Sequence, residues 1–418
     1  MKQAIQLALL SSANVGLAFL SQWYIFIQIG PGFEADAFFA GMVIPQVVLA
    51  VVIGSLKHVL VPLFAGENED QLRQHIWGLL IIVGSFFALL AIALYMAAAW
   101  WVPFTVPGFT QPALILTIKL AQIQLIGMVI TAIHGVQWAA YQARQQFIWV
   151  EFSAILANVL TLSVLIWALP HYGIEAAAWI IVLRFLLQIL LLAPGLGGFV
   201  FPDLQSNAIM QTWQRIKLML LGATYINTDS VVDRFLLSCT TSGSLSLYYL
   251  AQQIYAALSL VLNKAIATPL VPLLSTLHKV DDIEGFRQLY RQKLLQVSVI
   301  TISCLIMFGL LGRLLLGSAM GYGSFSADNV NSLLWYMLWL SGMFVGNTAG
   351  QICTYSFYAQ GNTATPTRLS IITYTTYIPT KVIAFYLWGI AGLAISTSLY
   401  HIVNLVLYAY LCEKKQTV

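Results

Sequence analysis

Two aspartates and an arginine stand together in the apolar stretch INTDSVVDRFLL, residues 226–237, of a chain in which only 8% of residues are charged. At the periodicity of an α-helix, Asn227, Asp229, Asp233 and Arg234 share one side. Such a stripe is costly against lipid, so it predicts a helix that turns these side chains toward protein or water. Asp229 and Asp233 are then candidates to bind a coupling proton or Na⁺ with Asn227, while Arg234 neutralises one of them or contacts an anionic headgroup. The alternative is local neutralisation near the membrane surface, with Arg234 extended outward.

Further polar side chains interrupt other apolar runs. Lys57 and His58 lie in one run and Lys264 in another. If their helices face each other, the two ammonium groups can hold a diphosphate; alternatively, both lysines extend to the cytoplasmic surface. Asp36 opens the run that contains Lys57, which favours a helix N-cap, although a contact with substrate remains open.

The composition indicates which kind of secondary structure carries these polar residues. Hydrophobic residues make up 60% of the 418, too many for a water-soluble domain. The apolar runs are each about 20 residues or longer, enough to cross a bilayer as a helix, and they lack the alternation of barrel strands. The sequence therefore predicts an all-α polytopic membrane protein. The first run continues through Ile29 and is interpreted as a span rather than a signal peptide.

Other functions and ligands find little support in the composition. The four cysteines have no paired spacing, so we expect neither a metal site nor a disulfide, and no cofactor beyond a coupling H⁺ or Na⁺. The formal net charge of +4 is small for the length, and we expect no nucleic-acid partner.

Breaks in the apolar pattern predict about twelve spans. These run over residues 3–29, 36–64, 75–103, 111–141, 147–169, 174–197, 214–239, 245–275, 293–317, 330–359, 369–387 and 390–412. Lys and Arg concentrate in the loops on the side of both termini, so the positive-inside rule predicts cytoplasmic termini. It places the loops near 31–35, 104–110, 170–173, 240–244 and 318–329 on the outer face.

The two halves of the chain repeat each other. Val61–Leu63 recurs as Val271–Leu273, and YGIEAAA from Tyr172 recurs as WGIAGLA from Trp388. Equal orientation of the copies predicts two parallel-repeat six-helix lobes. The predicted parts are an N-terminal lobe (1–200), a cytoplasmic connector (201–213) and a C-terminal lobe (214–418). Two isolated cations, Arg184 and Lys381, are interpreted as partners within or between the lobes.

Three stretches carry a family resemblance. ADAFFAGMVIPQVVLAVVIGSLKHVLVPLFAGENE, from Ala35, resembles the second span of the MviN-type lipid II flippases, part of the multidrug/oligosaccharidyl-lipid/polysaccharide exporter superfamily. VVDRFLLSCTTSGSLSLYYLAQQ and IATPLVPLLSTL resemble their seventh and eighth spans. The resemblance implies that the two six-helix lobes surround a central cavity, which opens alternately to either side of a bacterial cytoplasmic membrane. It also implies substrate-binding roles for Asp36, at an acidic position of the family, and for Gln252 and Gln253, where the family has Asp-Arg.

The leading hypothesis is a flippase for a polyprenyl-diphosphate glycan such as lipid II or a related cell-envelope saccharide. We expect it to act as a monomer in the bilayer and not as an enzyme. A cation-coupled multidrug exporter of the same superfamily is the alternative, with the aspartate stripe as its ion site. A membrane-embedded transferase has less support, because the short loops carry no D-x-D or H-E-x-x-H pattern.

Overall fold

The computed structural model describes residues 2–64, 68–201, 220 and 223–415, and these residues form helices joined by short turns, without a β-strand among them. The prediction of an all-α polytopic protein is confirmed. In chain order the helices are α1 (Lys2–Ile29), α2 (Phe33–Gly41), α3 (Val43–Phe64), α4 (Glu69–Met96), α5 (Ala98–Thr105), α6 (Gln111–Ala143), α7 (Phe147–Tyr172), α8 (Ile174–Leu192), α9 (Asp229–Ser238), α10 (Ser244–Leu262), α11 (Thr268–Lys279), α12 (Ile283–Met320), α13 (Ala327–Trp339), α14 (Ser341–Ala359) and α15 (Ala364–Lys415).

The long helices have the dimensions of membrane spans. Across the part of the chain that the structure describes, nine helical segments are long and apolar enough to cross a bilayer. One of them contains two predicted spans, because α15 breaks at Gly389. The predicted span at 330–359 is divided into α13 and α14 at Leu340. The span predicted at 214–239 lies largely outside the described residues, so the total of about twelve stays a prediction.

Two glycines that the internal repeat aligns make the same backbone break. Gly173, between α7 and α8, has φ 62° and ψ −154°, and Gly389, within α15, has φ 58° and ψ −139°. A positive φ with this ψ is open to glycine and strained for other residues. The repeat in the sequence therefore corresponds to a repeated turn between consecutive long helices.

The described chain packs as two compact units, Met1–Leu245 and Ser246–Val418. The core of the first unit joins α3, α4 and α6 through buried side chains such as Leu60 and Ile76. The core of the second unit joins α11, α12 and α14 through side chains such as Leu274 and Ile352. The predicted connector at 201–213 lies outside the described residues apart from Phe201, and the predicted lobe boundaries stay predictions.

Candidate functional site

The predicted polar stripe lies on α9 and on the helical turn before it, which contains Asn227. In the first unit, α9 packs against α3 and α5. Asp233 and Arg234 are buried, with 1% and 3% of their surfaces exposed. Asn227 and Asp229 are half-buried, and the Asn227 amide donates to the carbonyl of Ala223 at 2.8 Å. The stripe therefore faces packed protein at Asp233 and Arg234.

Asp36 makes a long-range contact that the sequence did not indicate. It lies in the first turn of α2 and is 3% exposed. Its Oδ2 accepts a hydrogen bond from the backbone N–H of Gly243 at 2.6 Å. The N-cap prediction for Asp36 is wrong, because α2 begins earlier, with Gly32 as its N-cap residue. The carboxylate still benefits from the positive end of the helix dipole, and it is committed to the turn that follows α9.

That turn depends on glycine at its third position. Gly243 has φ +90°, and a methyl group there would lie 3.0 Å from the carbonyl oxygen of Pro31. The Ser244 N–H donates to the Thr241 carbonyl at 3.1 Å, which closes the turn. Any side chain at position 243 would push the backbone away from Asp36.

A second contact fastens the same end of α9. The N–H of Gly108 donates to Ser238 Oγ at 3.2 Å, and a Cβ at Gly108 would overlap the Ser238 carbonyl. We call Asp36, Gly108, Ser238 and Gly243 the Asp36 cluster. It brings together three of the five loops that the charge distribution predicted on the outer face, those near 31–35, 104–110 and 240–244.

The other predicted substrate residues are not part of this cluster. Gln252 and Gln253 are half-buried on α10 in the second unit. Lys264 is exposed, in a π-helical turn between α10 and α11. Lys57 and His58 belong to α3, and their side chains lie outside the described part of the structure.

Of the two isolated cations, Lys381 is buried and Arg184 is half-buried. Lys381 has no exposed surface, and its ammonium lies 4.9 Å from the centroid of the Tyr377 ring, a cation–π distance. Tyr377 in turn stacks on Tyr400 with ring centroids 4.3 Å apart.

Arg184 in the first unit donates to Asn158 Oδ1 at 3.5 Å. Asn158 donates in turn to Asn14, and Asn14 donates to Glu151. Glu151 was not predicted as a site residue, although a carboxylate inside an apolar run is a signal for one.

Comparison with known proteins identifies the family to which a chain of this architecture belongs. The family model described as "Lipid II flippase MurJ" matches residues 27–418. A protein of Buchnera aphidicola subsp. Baizongia pistaciae, described as "Probable lipid II flippase MurJ", is 23% identical over 438 aligned positions that cover 99% of this chain and 84% of that protein. Its counterpart from Buchnera aphidicola subsp. Acyrthosiphon pisum is 21% identical, over 97% of this chain and 82% of that protein.

Solved structures share the fold. The inward closed conformation of a lipid II flippase MurJ superposes with a TM-score of 0.82 at 17% identity, covering 97% of this chain and 86% of that one. An inward-facing multidrug resistance MATE family transporter of the MOP superfamily gives a TM-score of 0.76 at 16% identity, covering 98% and 94%. Since the family model spans nearly the whole sequence, this chain belongs to the lipid II flippase MurJ family.

Proposed function

We propose that this chain is a flippase that moves a polyprenyl-diphosphate glycan, lipid II or a related cell-envelope saccharide, across the bacterial cytoplasmic membrane. The match of the family model to residues 27–418 carries the proposal. The buried charges of Asp36, Asp233 and Arg234 support it, because ionisable groups inside a membrane protein are costly and typically mark a transport path. The chain acts as a transporter, without catalytic chemistry.

The diphosphate headgroup of the proposed substrate is an anion, so we propose that basic side chains bind it. Lys57 and Lys264 bind the diphosphate as point charges, with Arg234 as a third cation. His58, Gln252 and Gln253 donate hydrogen bonds to the sugar or phosphate oxygens. The lipid tail remains in the bilayer while the headgroup crosses a hydrated path.

Net movement of the headgroup across the membrane requires that the path be closed at one end while it is open at the other. The Asp36 cluster is our proposed closure at the outer face, with both termini in the cytoplasm and a single chain as the working unit. A backbone N–H that donates to a buried carboxylate contributes about 1.5–3 kcal/mol, which is enough to favour the closed state and small enough to be reversed. Asp229 and Asp233, with Asn227, are the proposed site for a coupling H⁺ or Na⁺.

We expect purified protein in proteoliposomes to translocate a fluorescent lipid-diphosphate glycan and to leave a cationic dye in place. Lys57→Ala and Arg234→Ala should each reduce glycan transport by roughly tenfold to a hundredfold, because a lost charged hydrogen bond costs about 1.5–3 kcal/mol. Asp233→Asn should remove any dependence on an imposed ion gradient. Lys119→Ala is the control, since Lys119 is an exposed lysine that pairs with Glu175 at 2.5 Å.

Dye export that ignores the lysine and arginine changes would instead indicate a cation-coupled multidrug exporter and would contradict the flippase proposal. Unchanged gradient dependence in Asp233→Asn would remove the ion site from α9. Equal losses in Lys119→Ala and Lys57→Ala would mean that surface charge, and not the proposed binding residues, controls transport.

A further inference from the structure

An open pocket of about 430 Å³ lies beside the turn that joins α6 to α7. It is lined by the amide side chains of Gln145 and Gln146 and by the apolar side chains of Ile148, Trp149 and Phe152. We call these five residues the Trp149 pocket. Its volume falls within the range of about 300–1,000 Å³ that is usual for small-molecule sites. We propose that the Trp149 pocket binds a neutral saccharide ring.

Trp149 gives the pocket a fixed aromatic surface. Its indole Nε1–H donates to the carbonyl of Leu191 on α8 at 3.3 Å, which holds the ring in place. The ring of Phe152 on α7 stacks on it, with centroids 5.8 Å apart and an interplanar angle of 29°. Trp149 and Phe152 still expose 43% and 45% of their surfaces. The apolar face of a sugar ring can pack on such a surface, because the negative face of an aromatic ring attracts polarised C–H groups.

The two glutamines supply donors and acceptors together. Gln145 and Gln146 are both exposed, and within the described part of the chain neither side chain is hydrogen-bonded to another residue. Each amide offers two N–H donors and an oxygen that accepts. A sugar hydroxyl both donates and accepts, so it can bond to either end of an amide, whereas an ionised phosphate only accepts.

The Trp149 pocket carries no charge of its own, since none of its five side chains is ionisable. Arg144 directly precedes Gln145 in the chain. Its guanidinium donates to the Gly195 carbonyl at 2.6 Å and pairs with Glu69 at 2.9 Å. A phosphate headgroup would lose water in the pocket without meeting a counter-charge, which is costly. The lining therefore favours a neutral ligand with one apolar face and several hydroxyl groups, as in a pyranose ring.

The backbone at Gln145 gives independent support. Gln145 follows the C-cap residue of α6 and has φ 58°, the left-handed conformation in which glycine is preferred. The N–H of Gln146 closes the turn by donating to the Tyr141 carbonyl at 3.0 Å, and this bond does not involve the Gln145 side chain. A glutamine where the turn itself favours glycine is accounted for by a role of its side chain, and the pocket supplies that role.

As a step in transport, the Trp149 pocket rests on the proposed function. With both termini in the cytoplasm, as proposed, the turn between α6 and α7 lies on the cytoplasmic side, where a lipid-linked glycan is taken up. Tryptophan is common at the boundary between membrane and water, and the sugars of such a lipid begin at that depth. We expect the pocket to hold the saccharide part of the substrate before the diphosphate crosses.

The test is saturation-transfer difference NMR on the full-length protein in phosphatidylcholine nanodiscs, with the disaccharide chitobiose as the probe and no glycoside detergent present. The wild type should transfer saturation to the ring protons of chitobiose. Trp149→Leu keeps an apolar side chain without the aromatic face and should abolish the transfer. Gln145→Gly should weaken the affinity roughly twofold to tenfold, because a neutral hydrogen bond is lost. Its Tm should be unchanged or higher, because glycine suits φ 58°.

Two variants outside the pocket are the controls. Trp167→Leu removes an exposed tryptophan near the other end of α7, and Gln292→Ala removes an exposed glutamine from α12. Both should bind chitobiose as the wild type does. In proteoliposomes, Trp149→Leu should raise the half-saturating concentration of a fluorescent lipid-diphosphate glycan more than it lowers the rate at saturation.

No transfer to chitobiose in the wild type, or equal transfer in Trp149→Leu and the wild type, would overturn the inference. Transfer to glycerophosphoethanolamine that depends on Trp149, in place of transfer to chitobiose, would make the pocket a phospholipid site and would also contradict it. A wild type that binds chitobiose through Trp149 but transports no lipid-linked glycan would support the saccharide site and contradict the proposed function.

Discussion

Replacing Asp36 by alanine is expected to open the Asp36 cluster and to abolish most glycan transport. The substitution removes a charge-assisted hydrogen bond of 2.6 Å and leaves the N–H of Gly243 without this acceptor. Bonds to charged groups contribute about 1.5–3 kcal/mol, so the closed arrangement should lose roughly tenfold to a hundredfold in population. Asp36→Asn keeps an acceptor oxygen without the charge, and we expect an intermediate effect.

Cysteine accessibility measures this opening directly. Ser244 is 5% exposed and follows Gly243, so Ser244→Cys places a thiol beneath the turn. The exposed native thiols are changed to serine in this background, Cys239→Ser and Cys304→Ser, whereas Cys353 and Cys412 are buried. Labelling by a membrane-impermeant maleimide should be slow with Asp36 present and much faster with Asp36→Ala.

Glu34→Gln is the matched control. Glu34 shares the first turn of α2 with Asp36 and is half-buried, so the substitution removes the same charge from the same helix end. It should leave the labelling rate unchanged, because the dipole effect alone is worth about 0.3–1 kcal/mol. If Asp36→Ala labels no faster than Glu34→Gln, the hydrogen bond to Gly243 does not hold this end closed.

Replacing Gly346 by alanine is expected to destabilise the second unit severely. A Cβ at Gly346 would overlap the backbone carbonyl of His401 on α15, and backbone cannot rotate out of the way as a side chain can. Overpacking typically costs 1–3 kcal/mol and here should reach the upper end or exceed it. Close helix approach through small residues is a usual way for membrane helices to associate.

Gly350 on the same helix provides the control. A Cβ at Gly350 would meet no atom within 4 Å, and alanine is the better helix former by about 1 kcal/mol. In thermal unfolding of the purified protein, Gly346→Ala should lower Tm by roughly 5–10 °C, while Gly350→Ala leaves it unchanged or slightly higher. Equal changes in the two variants would mean that α14 and α15 do not depend on this close contact.

The N-cap interpretation of Asp36 failed for a local reason. The sequence shows an acidic residue where an apolar run opens, but the helix start is set by backbone geometry before it. Gly32 is extended, with φ −172° and ψ −170°, and α2 begins directly after it. Asp36 is then inside the first turn, and its carboxylate accepts a hydrogen bond from Gly243, which is 207 positions away.

Much of the architecture follows from the sequence alone. In lipid, the backbone N–H and C=O groups must form hydrogen bonds within the protein, and in an apolar run of spanning length a helix meets this requirement. The all-α fold class and most of the spans could therefore be predicted. The recurrence of the stretch from Tyr172 at Trp388 indicated a repeat, and the aligned glycines, Gly173 and Gly389, both adopt positive φ. The stretches around Asp36 and Asp233 were sufficient to suggest the family that the comparison established.

Tertiary structure alone decided which polar groups meet. Asp36 and Gly243 are 207 positions apart, and Ser11 and Glu151 are 140 positions apart. Helical periodicity assigns a residue to one face of its helix. In a membrane protein, an apolar face can contact either lipid or another helix, so the sequence pattern does not determine which helix is the neighbour. Hydrogen-bond partners across helices depend on that choice, and only the folded chain specifies it.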